Sequence, residues 1–417
     1  MKRTMKSNNS SGGASYINRL NKIKVLNLIR TTENLSRADI AKISGLSAPT
    51  VSRIIEDLLA EGLVREIGEG VSKGGRRPTL LKFSDHMNFI IGIDLGTTNI
   101  YGVLSDFDAK IIAEVRRPTC VEEGFSNVMR RTADVITSLI NEPSVKDKRI
   151  YGIGMAVAGL INRKRNIVEF SPDFHWHNVD VVEALSQFHK YRIFFDNVTR
   201  VMAMGERWFG LGKKYKNLIC VNVGYGIGAG IIIDGKPLCG PLGMAGEFGH
   251  ITLDKDSLVQ CDCGNFGCLE ALASGNAIAK SAIKRLREGE RSLLLELCDG
   301  DISKVTAEMV ANAAKQGDVL SWAVFERAME YLGIGIAGLV NLFSPEAVVI
   351  GGGVAQAGEI LFEKVRKTVN ARSLSMISSN VMIRPATFGV KTAVMGAVSL
   401  VLSEVINLNH DETLSRP

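Results

Sequence analysis

The sequence predicts an α/β protein with a small basic domain at its N-terminus and a larger body of two lobes. Residues 1–82 carry 15 Lys and Arg against seven Asp and Glu, whereas the whole chain of 417 residues has a net charge of +6. A strand, a glycine-rich turn and a second strand occur at residues 89–106 and again at residues 217–235. The uneven charge separates the two domains, and the repeated unit indicates two related lobes.

The basic N-terminal domain has the pattern of a helix-turn-helix. Residues 7–15 are small and polar, which predicts a flexible arm before the first amphipathic helix. Ser36 and Asp39 form an approximate capping box for a second helix, and Gly45 follows in a short turn. Ser47 can cap a third helix, which has an apolar stripe. Short strands at residues 63–67 and 79–83 flank a glycine-rich wing, so a winged helix-turn-helix is predicted.

The predicted helix-turn-helix gives a set of candidate DNA contacts. The first turns of its second helix would meet base edges in the major groove, and the residues there are Ser47, Ala48, Thr50, Ser52 and Arg53. In the wing, Arg76 and Arg77 lie between glycines and Pro78 and favour insertion into a narrow A·T-rich minor groove. Charge, turn and wing together predict DNA binding. The alternative is a three-helix interaction module that binds no DNA.

Glycine-rich turns in the body follow predicted strands. The residues of interest in the first two turns are Asp94, Gly96, Thr97, Thr98, Gly224 and Gly226. Such turns expose backbone N–H groups and hydroxyls that suit phosphate, although a plain hairpin has the same pattern. A third turn, at residues 351–353, also follows a strand. Facing turns from two lobes would line a cleft.

Three clustered cysteines and a histidine form a candidate metal site. His250 lies ten residues before Cys261, and Cys263 and Cys268 follow. A Cys₃His set is typical of a closed tetrahedral Zn²⁺ site. Two alternatives use the same residues: buried free thiols, which are common in protein cores, and a redox sensor, which requires exposed thiols of low pKa.

The motif formed by "GH", ten residues and "CDCGNFGCLE" resembles the signature of the ROK family of repressors and sugar kinases. The resemblance covers residues 89 to about 403, and the helix-turn-helix in front of it resembles the repressor branch, such as the xylose and N-acetylglucosamine repressors. It implies an actin-like (ribonuclease H-like) two-lobed fold, a structural zinc and a sugar pocket. The predicted domains are residues 1–84, a first lobe of residues 85–200 completed by about 385–410, and a second lobe of residues 201–384.

The resemblance also implies which residues contact a sugar. Glu247 and His250 match the family's E-x-G-H motif, and Glu270 matches the Glu after the last cysteine. These three side chains, together with Asn197, would bind sugar hydroxyls. One nitrogen of His250 would bind zinc while the other donates to the sugar. Trp176 could stack on a sugar face, with core packing as the alternative.

The residues that a kinase needs depart from the family pattern. The position of the catalytic Asp holds Val198, which cannot accept a proton, and Arg200 replaces the second Asn of that motif. Asp196 precedes this position by two residues and is expected to lie on the same strand face, displaced by ~6–7 Å. The first turn lacks the usual Lys, and Tyr225 stands where kinases have Thr. These losses favour a pocket without catalysis.

The sequence therefore predicts a sugar-responsive transcription factor, most simply a repressor that releases operator DNA when sugar binds. The rival hypothesis is an ATP-dependent sugar kinase with a DNA-binding extension. No apolar run reaches the ~18 residues of a membrane span, and the N-terminus does not resemble a secretory signal. We therefore expect a cytoplasmic protein with no membrane partner, a homodimer or higher homo-oligomer, whose effector sugar the sequence does not identify.

Overall fold

The structure, a computed structural model, describes residues 11–32, 34–70, 77–83, 88–146 and 148–407. The N-terminal domain contains α1 (Ser11–Thr31), β1 (Leu35–Ser36), α2 (Arg37–Ser44), α3 (Ala48–Ala60), β2 (Val64–Glu69) and β3 (Thr79–Phe83). Its three strands form one antiparallel sheet in the order β1-β3-β2. The predicted helix-turn-helix, with a strand on each side of the wing, is confirmed. The flexible arm predicted at residues 7–15 is wrong for residues 11–15, which form the start of α1; residues 7–10 lie outside the described residues.

Local capping sets the geometry of the helix-turn-helix. The Ser36 side chain accepts from the Asp39 N–H, and the Asp39 carboxylate accepts from the Ser36 N–H, so the predicted capping box of α2 is present. Gly45 ends α2 at φ 70°, a left-handed conformation that glycine adopts without steric cost. Ser47 caps α3 by accepting from the Thr50 N–H. The turn between the two helices is therefore fixed by residues at its two ends.

The first lobe is built on a five-stranded sheet in the order β11-β7-β4-β5-β6. Its elements are β4 (Asn88–Leu95), β5 (Asn99–Asp106), β6 (Ile111–Pro118), α4 (Phe125–Ile140), β7 (Arg149–Val157), β8 (Leu160–Asn162), β9 (Ile167–Ser171), β10 (Trp176–Val179), α5 (Val181–Ser186) and β11 (Ile193–Asn197). Strands β8 to β10 form a small separate sheet. α4 packs against β5 and β6 and covers one face of the large sheet.

The second lobe is built on a five-stranded sheet in the order β14-β13-β12-β15-β16. The chain reaches it through α6 (Val198–Phe209) and continues as β12 (Leu218–Val223), β13 (Ile227–Ile233), β14 (Lys236–Pro237), α7 (Leu269–Ala273), α8 (Gly275–Arg287), α9 (Leu294–Leu297), α10 (Ala307–Lys315), α11 (Val319–Phe343), β15 (Ala347–Gly351), α12 (Glu359–Arg372), α13 (Ser375–Ser378), β16 (Met382–Pro385) and α14 (Thr392–Asn407).

The two large sheets have the same topology. In the first, β4 pairs antiparallel with β5 and parallel with β7. In the second, β12 pairs antiparallel with β13 and parallel with β15. The two glycine-rich turns predicted from the sequence occupy equivalent places, between β4 and β5 and between β12 and β13. The structure thus confirms that the repeated unit marks two related lobes.

Helices α6 and α14 pack against each other and against strands of the body. α14 contacts β4 and β7 of the first sheet, and α6 contacts β12 and β13 of the second. A Cβ on Gly205 would lie 2.8 Å from the Gly396 Cα, so the two helices touch backbone to backbone there. Val198 begins α6 and does not continue the preceding strand, so the expected strand face shared by Asp196 and position 198 is wrong. The predicted lobe boundary at residue 200 falls inside α6.

One hydrophobic core joins the N-terminal domain to the body. Leu26 and Ile29 of α1 and Ile55 of α3 belong to the same buried cluster as Val103 of β5 and Val398 of α14. Two contacts reinforce the junction: the Tyr151 hydroxyl donates to the Glu61 carbonyl at 2.6 Å, and the Asn88 amide donates to the Gly62 carbonyl at 2.6 Å. The two domains are therefore packed together, beyond the connecting chain.

Among the described residues, no helix combines the length and the apolar character that a membrane crossing requires.

Candidate functional site

The predicted metal ligands come together in one loop of the second lobe. The ligand atoms of His250, Cys261, Cys263 and Cys268 all lie within 4.8 Å of one another. Nδ1 of His250 is 3.6 Å from Sγ of Cys261, and Sγ of Cys263 is 3.8 Å from Sγ of Cys268. A tetrahedral zinc with Zn–S bonds of about 2.3 Å holds its sulfurs about 3.8 Å apart. The donor set and its size therefore fit such an ion.

Glu270 connects this cysteine loop to the second glycine-rich turn. Its Oε2 accepts a hydrogen bond from the Ile227 N–H at 2.8 Å, and its Oε1 lies 3.9 Å from Sγ of Cys261. A Cβ on Gly226 would stand 2.4 Å from Oε2, so only glycine at that position lets the carboxylate approach. The loop and the turn are thus held together by one side chain.

Glu247 faces the same group of charges. It is an exposed residue and directly precedes the 3-10 helix Phe248–His250. Partial desolvation raises the pKa of Glu247, its neighbours His250 and Arg200 lower it, and the negative charge of Glu270 raises it. The structure therefore brings Glu247, His250 and Glu270 into one electrostatic neighbourhood, as the sequence predicted, and adds Arg200 to it.

Asp196 and Arg200 form a buried ion pair at the start of α6. The Arg200 Nε donates to Asp196 Oδ2 at 2.8 Å, and its Nη2 donates to Oδ1. The two side chains are 2% and 3% exposed, and Asp196 Oδ1 also accepts the Asn197 N–H at 2.8 Å. The Asp196 carboxylate is thus fully engaged, while position 198 presents only a valine.

Asn197 acts as the N-cap of α6. Its Oδ1 accepts from the backbone N–H and the hydroxyl of Thr199 at 2.9 and 2.7 Å. Its Nδ2 donates to the Gly159 carbonyl at 2.9 Å. A sugar contact at this position would have to share an amide that already caps the helix. The structure gives Asn197 a role that the sequence prediction did not include.

A cleft of about 870 Å³ is lined by residues of both glycine-rich turns, and the predicted sugar residues Asn197, Glu247, His250 and Glu270 are not among its lining residues. The cleft is lined by the first turn (Thr97 and Thr98), the second turn (Tyr225), the loop before β10 (Asp173 and His175), β10 itself (His177), the cysteine loop (Asp262) and α8 (Lys280). The pKa of Asp173 is raised to about 6, chiefly by burial; the charges of Glu270 and Asp262 also raise it, while His250 and His175 lower it. The cleft wall at Asp173 therefore lies close to the predicted sugar residues.

The packing of Trp176, the first residue of β10, contradicts the predicted sugar contact of this side chain. Trp176 is 3% exposed, stacks on Phe174 at 4.4 Å between ring centroids and meets Phe125 edge-on at 5.0 Å. Stacking on a sugar is therefore wrong for this side chain, and core packing is confirmed. The residues that face the cleft are its neighbours Asp173, His175 and His177. Their alternation with Phe174 and Trp176 was a readable signal that the sequence prediction missed.

The glycine-rich turns have different local roles. Asp94 stands at the end of β4, where burial raises its pKa to about 7 and the Arg116 charge lowers it. In the second turn, Gly224 accepts the N–H of Gly275 from α8 at 2.8 Å, and Tyr225 is 56% exposed in the cleft. In the third turn, a Cβ on Gly352 would lie 2.4 Å from the Val223 carbonyl. This last glycine serves strand packing.

Helix α3 presents the predicted DNA contacts near its N-terminal end. Ser47, Ala48 and Arg53 are exposed, and Thr50 and Ser52 are partly buried. The Arg53 Nη2 donates to Oδ1 of Asn18 on α1 at 2.8 Å, so α1 orients this side chain. In the wing, Arg77 lies 4.0 Å from Glu69 with both side chains about two-thirds exposed (69% and 65%). Arg76 lies outside the described residues.

Comparison with known proteins agrees with the division of the chain into a winged helix-turn-helix domain and a two-lobed body. The ROK family profile matches residues 90–404, and a winged helix-turn-helix DNA-binding profile matches residues 19–65. A xylose repressor of Caldicellulosiruptor bescii is 36% identical over 95% of this chain and 98% of its own. A glucokinase of Thermotoga maritima is 37% identical over 67% of this chain and 86% of its own.

A solved ROK family transcriptional regulator, described as a homolog of the E. coli MLC protein, superposes with a TM-score of 0.81 at 27% identity. The match covers 94% of this chain and 97% of the regulator. The fold predicted from the cysteine motif and the helix-turn-helix is thereby confirmed. With its body matched over residues 90–404 and its DNA-binding domain in front, this chain belongs to the ROK family.

Proposed function

We propose that this protein is a transcriptional repressor that leaves its operator when a sugar binds in the cleft. The observation that carries the proposal is the hydrophobic core that a winged helix-turn-helix shares with the ROK domain. Position 198 of that domain, where a sugar kinase would need its catalytic base, is valine. The xylose repressor and the solved regulator, which match at least 94% of the chain, support it. A DNA-bound repressor also accounts for the basic N-terminal domain.

The site supports recognition of sugar hydroxyls. The carboxylates of Glu247 and Glu270 can accept hydrogen bonds from sugar hydroxyls, and Asp173 adds a third acceptor close by. Nδ1 of His250 faces the cysteines, which leaves Nε2 to donate a hydrogen bond to a sugar oxygen. Because the xylose repressor relative spans nearly the whole chain, D-xylose is the first effector to test.

A structural zinc at His250, Cys261, Cys263 and Cys268 completes the proposed site. Zinc in a closed four-ligand site supplies no reaction chemistry but fixes the loop that carries its ligands. Here that loop runs directly into Glu270, whose carboxylate reaches the second turn. Rigid placement of Glu270 and of the His250 ring is what such an ion would contribute. A redox sensor would need free thiols, which four-ligand binding removes.

Two-fold symmetry is the remaining part of the proposal. A homodimer would present two copies of α3 to the half-sites of a palindromic operator, about one helical turn apart or a multiple of it. The test begins with selection of operator sequences from random DNA duplexes by the sugar-free protein. Operator affinity is then measured by fluorescence anisotropy with and without D-xylose and a panel of other sugars. Equal affinities under all conditions would contradict the repressor mechanism.

The second candidate function is an ATP-dependent sugar kinase. The glucokinase relative favours it, as does Lys280, which brings a positive charge to the cleft that Thr97 and Thr98 also line. Against it stand Val198 and the engagement of Asp196 by Arg200. A coupled assay of ADP release with the same sugar panel separates the two functions, since a repressor gives no sustained turnover.

A further inference from the structure

Helix α6 runs from the proposed sugar site to the DNA-binding domain. It begins at Val198, directly after the capping Asn197, and ends at Phe209. Twelve residues at 1.5 Å each give a helix about 18 Å long. Its first turn carries Arg200 and its last turn carries Trp208, and each of these side chains contacts a different functional part of the molecule.

At the sugar end, Arg200 links α6 to the loop that carries Glu247. Its paired guanidinium is anchored on Asp196, and its Nη1 approaches the Ala245 carbonyl at 3.5 Å. The Arg200 charge also acts on Glu247, two residues beyond Ala245. A ligand that moves or neutralises Glu247 therefore acts on Arg200, and Arg200 belongs rigidly to α6.

Along its length, α6 is in backbone contact with its neighbours. A Cβ on Gly230 of β13 would lie 2.1 Å from the Thr199 carbonyl, and a Cβ on Gly396 of α14 would lie 2.2 Å from the Val201 carbonyl. Since only glycine fits at these two positions, no side chain lies between the backbones that could absorb a displacement. A shift of the second lobe relative to α14 must therefore shift α6 as a unit.

At the DNA end, Trp208 supports Arg30 of α1. The Arg30 guanidinium carbon lies 4.3 Å from the centroid of the Trp208 ring, within the range of a cation–π contact. Burial lowers the pKa of Arg30, and so does the neighbouring charge of Arg207. The negative end of the α6 dipole attracts the same cation. The position of α1 is thus tied to the last turn of α6.

Helix α1 in turn holds the helix predicted to read DNA. Asn18 accepts a hydrogen bond from Arg53 on α3, and Lys22 pairs with Glu61 at the C-terminal end of α3. The two contacts connect the middle and the C-terminal end of α3 to α1. A displacement of α1 would therefore move α3 and the exposed Arg53.

From these contacts we propose that α6 transmits sugar binding to the DNA-binding domain, with Arg200 as the positioning residue at the sugar end and Trp208 as the contact that moves α1. The inference rests on the proposed function and adds the route that couples the two sites. A ligand can shift such an equilibrium only through its different affinities for the two states. The Arg200 contact supplies that difference, because it links α6 to the loop that binds the ligand.

The test removes the Trp208 contact while leaving both binding sites intact. Trp208→Leu keeps an apolar side chain but loses the aromatic face, and Arg30→Met removes the cation from the other side. Tyr151→Phe is the matched control, because it removes a junction hydrogen bond to Glu61 that β7 and not α6 provides. Operator affinity is measured for each variant with and without D-xylose, and D-xylose affinity is measured by calorimetry.

We expect D-xylose to weaken operator binding of the wild type and of Tyr151→Phe by the 5–150-fold typical of allosteric coupling. Trp208→Leu and Arg30→Met should bind D-xylose and sugar-free operator as the wild type does, with a sugar response below about two-fold. The double variant should lose no more than either single one, since both changes remove the same contact. A full sugar response in Trp208→Leu would overturn the route through α6.

Intrinsic fluorescence gives a second readout that requires no DNA. The chain has three tryptophans, so Trp176→Phe with Trp322→Phe leaves Trp208 as the only emitter. Binding of D-xylose should change its emission, although Trp208 lies eight residues, or about 12 Å of helix, beyond Arg200. Sugar binding by calorimetry without a change in Trp208 emission would count against the inference. Absence of any D-xylose effect on the wild-type operator complex would instead count against the proposed function with this sugar.

Discussion

The carboxylate of Asp196, on the last strand before α6, is bound by the guanidinium of Arg200 four residues later in α6, and both side chains are almost completely buried. Breaking such a pair by removing one partner leaves an unpaired buried charge, which typically costs 3–5 kcal/mol. The pair therefore fixes the start of α6 and keeps Asp196 from acting as a base. The resemblance to ROK kinases predicts a catalytic Asp at position 198, which is valine here, and a second Asn at position 200, which is Arg200.

The first prediction concerns catalysis. We expect no sustained sugar-dependent ATP hydrolysis, because position 198 is valine and Asp196 is engaged. Val198→Asp should remain inactive, since Arg200 would either pair with the new carboxylate or stay paired with Asp196. Tyr225 also still occupies the second turn in this variant. ADP release by the purified protein is the measurement. Turnover that follows the sugar panel and persists in a second preparation would refute the prediction.

The second prediction concerns the metal. Elemental analysis should find one zinc per chain, and Cys263→Ser should lose it because three ligands hold zinc far less tightly than four. Cys298→Ala is the control, since Cys298 is a buried cysteine outside the cluster. Loss of zinc should also weaken sugar binding through Glu270. Full zinc retention by Cys263→Ser would show that the cluster is not the site.

The third prediction concerns sugar recognition. Glu270→Ala should keep operator binding but lose the response to sugar, because its carboxylate is a proposed hydroxyl acceptor. Gly226→Ala should weaken sugar binding as well, since the new Cβ would collide with Glu270 Oε2. Calorimetry with D-xylose and anisotropy with operator DNA separate the two effects. Unchanged sugar affinity in Glu270→Ala would remove this residue from the site.

The fourth prediction concerns DNA. Arg53→Ala should cost about 1–3 kcal/mol of operator binding and relax the preference at one base pair, as expected for a base contact. Lys315→Ala, an exposed cation on the second lobe, should have no such effect.

The wing gives a separate test of DNA recognition. Replacing both Arg76 and Arg77 with Ala should reduce the preference for A·T-rich flanks, because arginine favours the narrow minor groove of such tracts. The measurement compares the affinities of operators with A·T-rich and G·C-rich flanks. An unchanged flank preference in the double variant would contradict insertion of the wing.

The fifth prediction concerns pH. The pKa of Asp94 is about 7 in the folded protein, chiefly through burial, and about 3.9 in an unfolded chain. The folded state therefore binds more protons between these values, so Asp94 lowers stability as pH rises from about 4 to about 7. Asp94→Asn should be more stable than the wild type at pH 8 by about 2–4 kcal/mol, and equally stable near pH 4. Urea unfolding at the two pH values measures this; an equal difference at both would exclude titration of Asp94.

Local sequence determined the elements whose stability is local. The capping box of Ser36 and Asp39, the left-handed Gly45 and the Ser47 cap are fixed by residues a few positions apart, so they were predictable. The repeated strand–turn–strand unit and the spacing of His250 and the three cysteines were equally readable. They led to the two-lobed ROK fold and to a compact cluster of candidate metal ligands.

Tertiary structure decided what depends on residues far apart in the chain. The sequence around Trp208 does not indicate that Arg30 lies over its ring. The sequence around Gly226 does not indicate that Glu270 fits only because position 226 has no Cβ. Trp176 was open to two interpretations until Phe125 and Phe174 were seen to enclose it. Helix capping depends on residues a few positions apart, so the sequence determines it. Burial, electrostatic interactions and contacts between helices depend on residues far apart in the chain, so they arise only when the lobes and the DNA-binding domain pack against one another.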